Sequence, residues 1–157
     1  MQKVLTLVRG LPGSGKSSYA RSIWIGTEAD EDIKTGICSA DDFFTVKGVY
    51  TFDSSKLTEA HNDCQYRTRM GLLAGMNIVV ANTFTCRWEM EPYLQIASEV
   101  GARIVVVDCF DGGMDDATLA STNVHGVPAD TIAAMRGRWE HDWRSANPVA
   151  PWLRNKQ

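Results

Sequence analysis

Gly10-Leu11-Pro12-Gly13-Ser14-Gly15-Lys16-Ser17 fits the pattern G-x-x-x-x-G-K-[ST] without a gap. Glycines let a backbone curl so that successive N–H groups point at one phosphate with no Cβ in the way. A helix starting at the lysine would add the partial positive charge of its N-terminus. Lys16 can then reach the β- and γ-phosphates as a point charge, and the Ser17 hydroxyl can ligate Mg²⁺, with Ser18 beside it in the same stretch. A chance match in a chain of this size is on the order of one in a few hundred by average residue usage. A bare glycine-rich turn accounts for neither the lysine nor the serine, so residues 10–18 read as a site for ATP and Mg²⁺. Whether the phosphate is hydrolysed or transferred is left open by the loop itself.

Transfer to a hydroxyl needs a group that accepts a proton close to the γ-phosphate. Asp41 and Asp42 are the candidates, Asp41 as the base and Asp42 as its supporting neighbour, although aspartate also favours caps and turns. Asn82 and Thr83 follow another apolar run, and Asp108 lies near the end of a fourth. An amide can hold a water or an acceptor but does not activate one as a carboxylate does. Asn82 at such a place leans away from a motor-type ATPase and toward transfer.

These residues are spaced along the chain as the ends of strands. KVLTLV (3–8) is a short apolar run ending at the glycine loop, and residues 16–25 read as a helix closing near Gly26. TEADEDIKTG (27–36) has no periodicity and reads as an exposed loop, and GICSADDFF (36–44) as a second strand delivering Asp41 and Asp42. After a turn at Lys47-Gly48, Asp53 or Ser54 can cap a long helix with Leu57, Ala60, Cys64, Thr68 and Leu72 on one face. MNIVVAN (76–82) is a third strand, a helix over 87–100 stops at Gly101, and ARIVVVDCF (102–110) is the most apolar strand. A short helical piece at 115–122, the break HGVP, and a last helix from Pro128 with Ile132, Met135, Trp139 and Trp143 inward complete the pattern. Nearly continuous apolar strands separated by helices predict an α/β fold, a parallel sheet of about four to five strands covered by helices on both faces. Ligands of such sheets bind beyond the carboxyl ends of the strands, where all of these candidates fall.

The bulk composition agrees. At 157 residues, 44% apolar and 22% charged, the chain reads as one globular domain over 1–144 with an irregular tail over 145–157, and no run approaches the length of a membrane span. It reads as cytoplasmic. The net charge of −3 excludes a global basic field of the kind that drives non-specific nucleic-acid binding, leaving only a local groove for such a partner. Cys38, Cys64, Cys86 and Cys109 form no CxxC pair and read as reduced thiols. Of the histidines, His61 and His141 read as surface or boundary residues, and His125 in the HGVP break could approach a phosphate.

RGLPGSGKSS, SADDFF, VY-FD before a long helix, ANTFT followed by WEMEPY, and HGVP followed by RWE together resemble the small P-loop kinases related to polynucleotide 5′-hydroxyl kinases, over residues 4–143. The resemblance implies ATP- and Mg²⁺-dependent phosphoryl transfer to a hydroxyl on a nucleic acid or nucleotide. It gives Lys16 and Ser17 the phosphates and metal, Asp41 the role of general base, and Thr83 a place along the acceptor groove. Two departures stand out. Phe44 occupies the position where polynucleotide kinases commonly carry an arginine for the acceptor's 3′-phosphate, and the lid stretch DDATLASTNVHGVP holds no arginine. A charge clamp on the transferring group is a large catalytic contribution, so Arg87, Arg136 or Arg138 is expected to replace it. Phe44 reads either as a core aromatic or as a platform for a base. The second reading favours DNA as acceptor, and bacteriophage kinases resembling this family that act on a hydroxymethylated pyrimidine are the pattern for it, with the target base presented out of the stack. A 5′-hydroxyl end, a free nucleoside or nucleotide, and a nucleotide-binding switch without acceptor stay open beside it, as does the oligomeric state.

Overall fold

The computed structural model describes residues 2–27 and 35–156. Strands β1 (Val4–Gly10), β2 (Thr35–Cys38), β5 (Asn77–Asn82) and β6 (Arg103–Phe110) form one parallel sheet in the order β2-β5-β1-β6. Register pairs Leu7 with Val80 on one side and with Val106 on the other. The remaining strands, β3 (Thr45–Val46) and β4 (Val49–Tyr50), make a small antiparallel hairpin whose turn residues Lys47 and Gly48 both have positive φ, the geometry that matches strand twist in a two-residue loop. Of the stretch 27–36 read as an exposed loop, residues 28–34 lie outside the described residues, and Thr35 and Gly36 open β2.

Side chains alternate across the sheet, so each strand feeds two cores. Val8, Val79 and Ala81 pack with Ala20 of α1 (Lys16–Thr27) on one face. Leu5, Leu7, Ile78 and Val80 pack on the other with Cys64 and Leu72 of α2 (Leu57–Leu73) and Met90, Tyr93 and Ile96 of α3 (Arg87–Val100). Each buried Val, Leu, Ile or Met among them contributes about 1.5–3 kcal/mol relative to exposure. The α2 stripe is Ala60, Cys64, Thr68 and Leu72; Leu57, at the first turn, stays exposed. β6 is apolar but lies at the sheet edge, where its residues are only half-buried.

A third core joins the lid to the phosphate loop. Leu11 packs with Leu119 of α4 (Asp116–Thr122), Ile132 of α5 (Ala129–Gly137) and Trp139. Helix α5 ends at Gly137, short of the expected Trp143. Trp139 is buried by a different device: the guanidinium of Arg9 lies 4.2 Å from its ring centroid. Among the described residues no helix is long and apolar enough to cross a membrane.

Candidate active site

The loop 10–17 joins the end of β1 to the start of α1. Gly10 donates its N–H to the Thr83 carbonyl (3.2 Å), and Leu11 to that of Phe110 (2.8 Å), so the loop is tied to the ends of both neighbouring strands. Gly13 (φ 82°) sits against the lid: a Cβ there would come 2.7 Å from the Leu119 carbonyl and 2.7 Å from the Thr122 hydroxyl. Gly15 (φ 96°) faces open space instead. Pro12 and Ser14 are buried, and the Ser14 hydroxyl has no hydrogen-bond partner among the described residues. Lys16 folds its ammonium back to the Leu11 carbonyl at 3.5 Å. Burial lowers the Lys16 pKa, and the Asp41 charge opposes that shift. Ser17 and Ser18 are exposed on the first turn of α1.

The residues fit a triphosphate with its metal. An open curled backbone at Gly15, a desolvated ammonium and a helix N-terminus converge on one volume, as an anion requires. Among the described residues no group of three or more His, Cys, Asp or Glu could hold a metal by itself. The Ser17 hydroxyl is a hard oxygen ligand suited to Mg²⁺, which is commonly held by few protein groups together with substrate phosphates and water.

Asp41 does not end a strand. A capping box shapes residues Ala40–Phe44 into a 3-10 helix: Ser39 Oγ accepts from the Asp41 N–H (3.2 Å), and Asp42 Oδ2 accepts from the Ser39 N–H (2.9 Å). Asp42 also pairs with Arg67 of α2 at 3.1 Å, so it holds the backbone that presents Asp41. Asn82 is drawn into the same support, its Oδ1 accepting from the Ala40 N–H at 2.9 Å. Asp41 itself faces outward to two partners: the Tyr50 hydroxyl donates to its Oδ1 (3.2 Å), and His125 Nε2 approaches its Oδ2 (3.3 Å). Burial, then the Asp41 charge, push the Tyr50 hydroxyl up to about 12, which keeps it a donor.

Phe44 is a core residue. It is 5% exposed, its ring meeting Phe43, Tyr50 and Phe52 edge-on, and no face is open for a base to stack on. The arginines expected to replace the lid clamp are placed as follows. Arg136 is held by Asp111 (2.6 Å), Asp116 (2.9 Å) and the Met114 carbonyl (2.9 Å), bracing the turn before α4. Arg87 is held by Glu91 (2.8 Å) and the Trp143 and Arg144 carbonyls, pinning the tail to α3. Both are occupied structural cations. Arg138 is exposed and makes no ion pair among the described residues, but it lies over the β5–α3 turn, in a groove that no phosphate-loop residue lines. Thr83 is half-buried at the end of β5, its carbonyl on Gly10.

Arg67, Tyr50 and Arg9 escaped the sequence reading. Arg67 stands four residues after Asp63 on a helix, a spacing that suggests a local pair (2.9 Å), yet its reach to Asp42 and the Ser39 carbonyl is tertiary. Arg9 is fully buried and donates to the carbonyls of Phe84 (2.8 Å), Thr85 (3.1 Å) and Glu140 (2.9 Å), with Asp108 at 3.4 Å. A charged residue at the end of an apolar strand was its only local sign.

A four-stranded parallel sheet clad by helices, with a phosphate loop after β1, defines a single-domain α/β protein of the P-loop kinase fold. The AAA domain family model matches residues 5–125, and the chain belongs to that family. The chain is 36% identical over 135 residues to NEDD4-binding protein 2 of Homo sapiens, an alignment covering 84% of this chain; it spans 7% of that relative's length. Among solved structures, a chain of the Pnkp1/Rnl/Hen1 RNA repair complex is similar at 17% identity and TM-score 0.71, over 97% of this chain and 51% of that one. Kti12 of Chaetomium thermophilum, in complex with ADP-AlF3, is similar at 15% identity and TM-score 0.64, over 94% and 84%. A gluconokinase from Sinorhizobium meliloti is similar at 15% identity and TM-score 0.51, over 88% and 75%.

Proposed function

We propose that the protein is a phosphotransferase that moves the γ-phosphate of ATP to a hydroxyl on a nucleic acid. The observation that carries this is the common anchor of Asp41 and the phosphate loop at the end of β5: Ala40, next to Asp41, donates its N–H to Asn82 Oδ1 (2.9 Å), and Gly10 of the loop donates to the carbonyl of the next residue, Thr83 (3.2 Å). An outward-facing acid on that side of the sheet can serve an acceptor; a nucleotide switch has no use for it. In this reading the loop N–H groups and Lys16 bind the β- and γ-phosphates, Ser17 holds Mg²⁺, and the metal supplies neutralisation of phosphate charge. Asp41 takes the proton of the acceptor hydroxyl while that oxygen bonds to the γ-phosphorus and the bond from phosphorus to the β–γ bridging oxygen breaks, leaving ADP.

In the same reading Thr83, whose carbonyl accepts from the Gly10 N–H, would line the acceptor's path. The likeness to a chain of an RNA repair complex, together with the segments from RGLPGSGKSS to RWE, favours a polynucleotide over a free nucleoside. Both a 5′-hydroxyl end and a hydroxymethylated pyrimidine in DNA fit the chemistry. The test is incubation with γ-labelled ATP and, in separate reactions, a 5′-hydroxyl oligonucleotide, DNA containing hydroxymethylpyrimidine, and free nucleosides. Label on a polynucleotide that falls by about 10²–10⁴-fold in Asp41→Asn, with ATP binding retained, is the expected result. Label released only as inorganic phosphate overturns the reading.

A further inference from the structure

Between the N-terminus of α3 and the C-terminal 3-10 helix (Pro151–Lys156) runs a groove of about 360 Å³, walled by Cys86 and Trp88 and rimmed by Arg138 and Arg154. Trp152 neighbours the groove wall, its ring 5.1 Å from that of Trp88 in an edge-on pair, and is 66% exposed. Two carboxylates also line the groove, but both are turned to the protein. Glu89 accepts from the Cys86 N–H and the Thr85 hydroxyl, and Glu140 accepts from the Arg87 N–H at 2.9 Å. Among the described residues Arg138 is exposed and forms no ion pair, and Arg154 donates its Nε to the Val149 carbonyl (2.9 Å). Two guanidinium groups beside exposed indole surface are therefore left facing solvent in a protein of net charge −3.

We infer that this groove binds single-stranded nucleic acid, the arginines taking backbone phosphates and Trp152 with Trp88 stacking a base. Aromatic rings serve every base alike, and arginine supplies both phosphate contact and cation–π attraction. A lipid surface fits less well, because the groove has carboxylates at its floor and no broad apolar face. The groove is linked to the phosphate loop through the residues that follow β5. The Thr85 carbonyl accepts from the Glu140 N–H (2.9 Å), and Thr83, two residues earlier, is bonded to Gly10 of the phosphate loop. This inference deepens the kinase reading by giving the acceptor strand a track, and rests on it for that role.

The experiment is titration of the full chain with a short fluorescent oligothymidylate, without ATP, over a range of salt concentrations, with a polyglutamate peptide as a second probe. Trp152→Ala is expected to weaken oligonucleotide binding about tenfold. The pair Arg138→Gln and Arg154→Gln is expected to weaken it and to reduce the salt slope by about 1.4, at roughly 0.7 for each single-strand phosphate that an arginine ceases to neutralise. Thermal melts matching the wild type confirm that these exposed positions leave the fold intact. Wild-type affinity and slope in both variants overturn the inference, as does failure of the wild type to bind. Equal binding of polyglutamate overturns it too, since charge alone would then suffice. Label transfer is scored separately: binding through the groove with no transfer keeps the groove and removes the kinase, and transfer with unaltered variants does the reverse.

Discussion

His125 Nε2 stands 3.3 Å from Asp41 Oδ2, which brings the lid into direct contact with the carboxylate proposed as the base. The imidazole is steadied from the other side by the Tyr50 ring, centroid to centroid 4.2 Å. His125, which could approach a phosphate from the HGVP break, meets Asp41 in the described structure. As a positioning residue it orients Asp41 toward the acceptor, so His125→Ala should lower kcat about tenfold with little change in the KM for ATP, at the low end of effects on proton transfer. His125→Asn, which keeps a donor, should recover part of the loss. Steady-state kinetics on the three proteins decide this; a change confined to KM would rule it out.

Arg9 joins β1 to three carbonyls and one carboxylate that come together only in the folded chain. Removing one partner of a buried charge network costs about 3–5 kcal/mol, because the remaining groups are left unpaired. Arg9→Met should lower the stability measured by urea denaturation by about that amount. A loss under about 1 kcal/mol would mean that the carbonyls find water or other donors.

Phe44 separates packing from recognition. As a core ring, Phe44→Ala should destabilise the fold by about 3–5 kcal/mol, and Phe44→Leu by far less, with oligonucleotide affinity unchanged in Phe44→Leu. A base platform would show the opposite: normal stability and weakened binding in the leucine variant.

Asp111 supplies the pH dependence. Its hydrogen bond from Arg136, then that from the Gly113 N–H, hold its carboxyl below the usual 3.8. A carboxyl lowered on folding adds stability that is fully present above its unfolded value and disappears as pH falls through its folded value. Wild-type and Asp111→Asn proteins should therefore differ in Tm at neutral pH and converge in acid, as pH falls through the lowered Asp111 value. A gap that persisted in acid would assign the difference to shape and not to charge.

Much of the fold was legible because it is local. The apolar runs of β1 and β5, the face of α3 carrying Tyr93, Ile96 and Ala97, and the phosphate loop each declare themselves within about ten residues. Asp41 and Lys16 could be paired from sequence only by assuming a sheet, and the 3-10 helix at Asp41 follows from the Ser39–Asp42 capping box, a spacing visible in the chain but easily read as strand. Long-range partners were not legible. Arg9 meets Phe84 and Glu140 across 75 and 131 residues, and Trp139 and Trp143 keep a helical spacing beyond the true end of α5. Arg138 stands out in the sequence as an arginine needing a task, while its surroundings depend on a tail whose composition says only that it is irregular.

The closeness of Gly13 to the Leu119 carbonyl and Thr122 has an evolutionary edge. Any side chain at that position would wedge the loop and α4 apart, so a bulkier loop can be reached only by a lineage that first reshapes its lid. Loop and lid thus constrain each other, and transplanting the eight-residue loop with a side chain at position 13 and without a matching α4 should give a chain that folds its sheet and leaves its lid ajar.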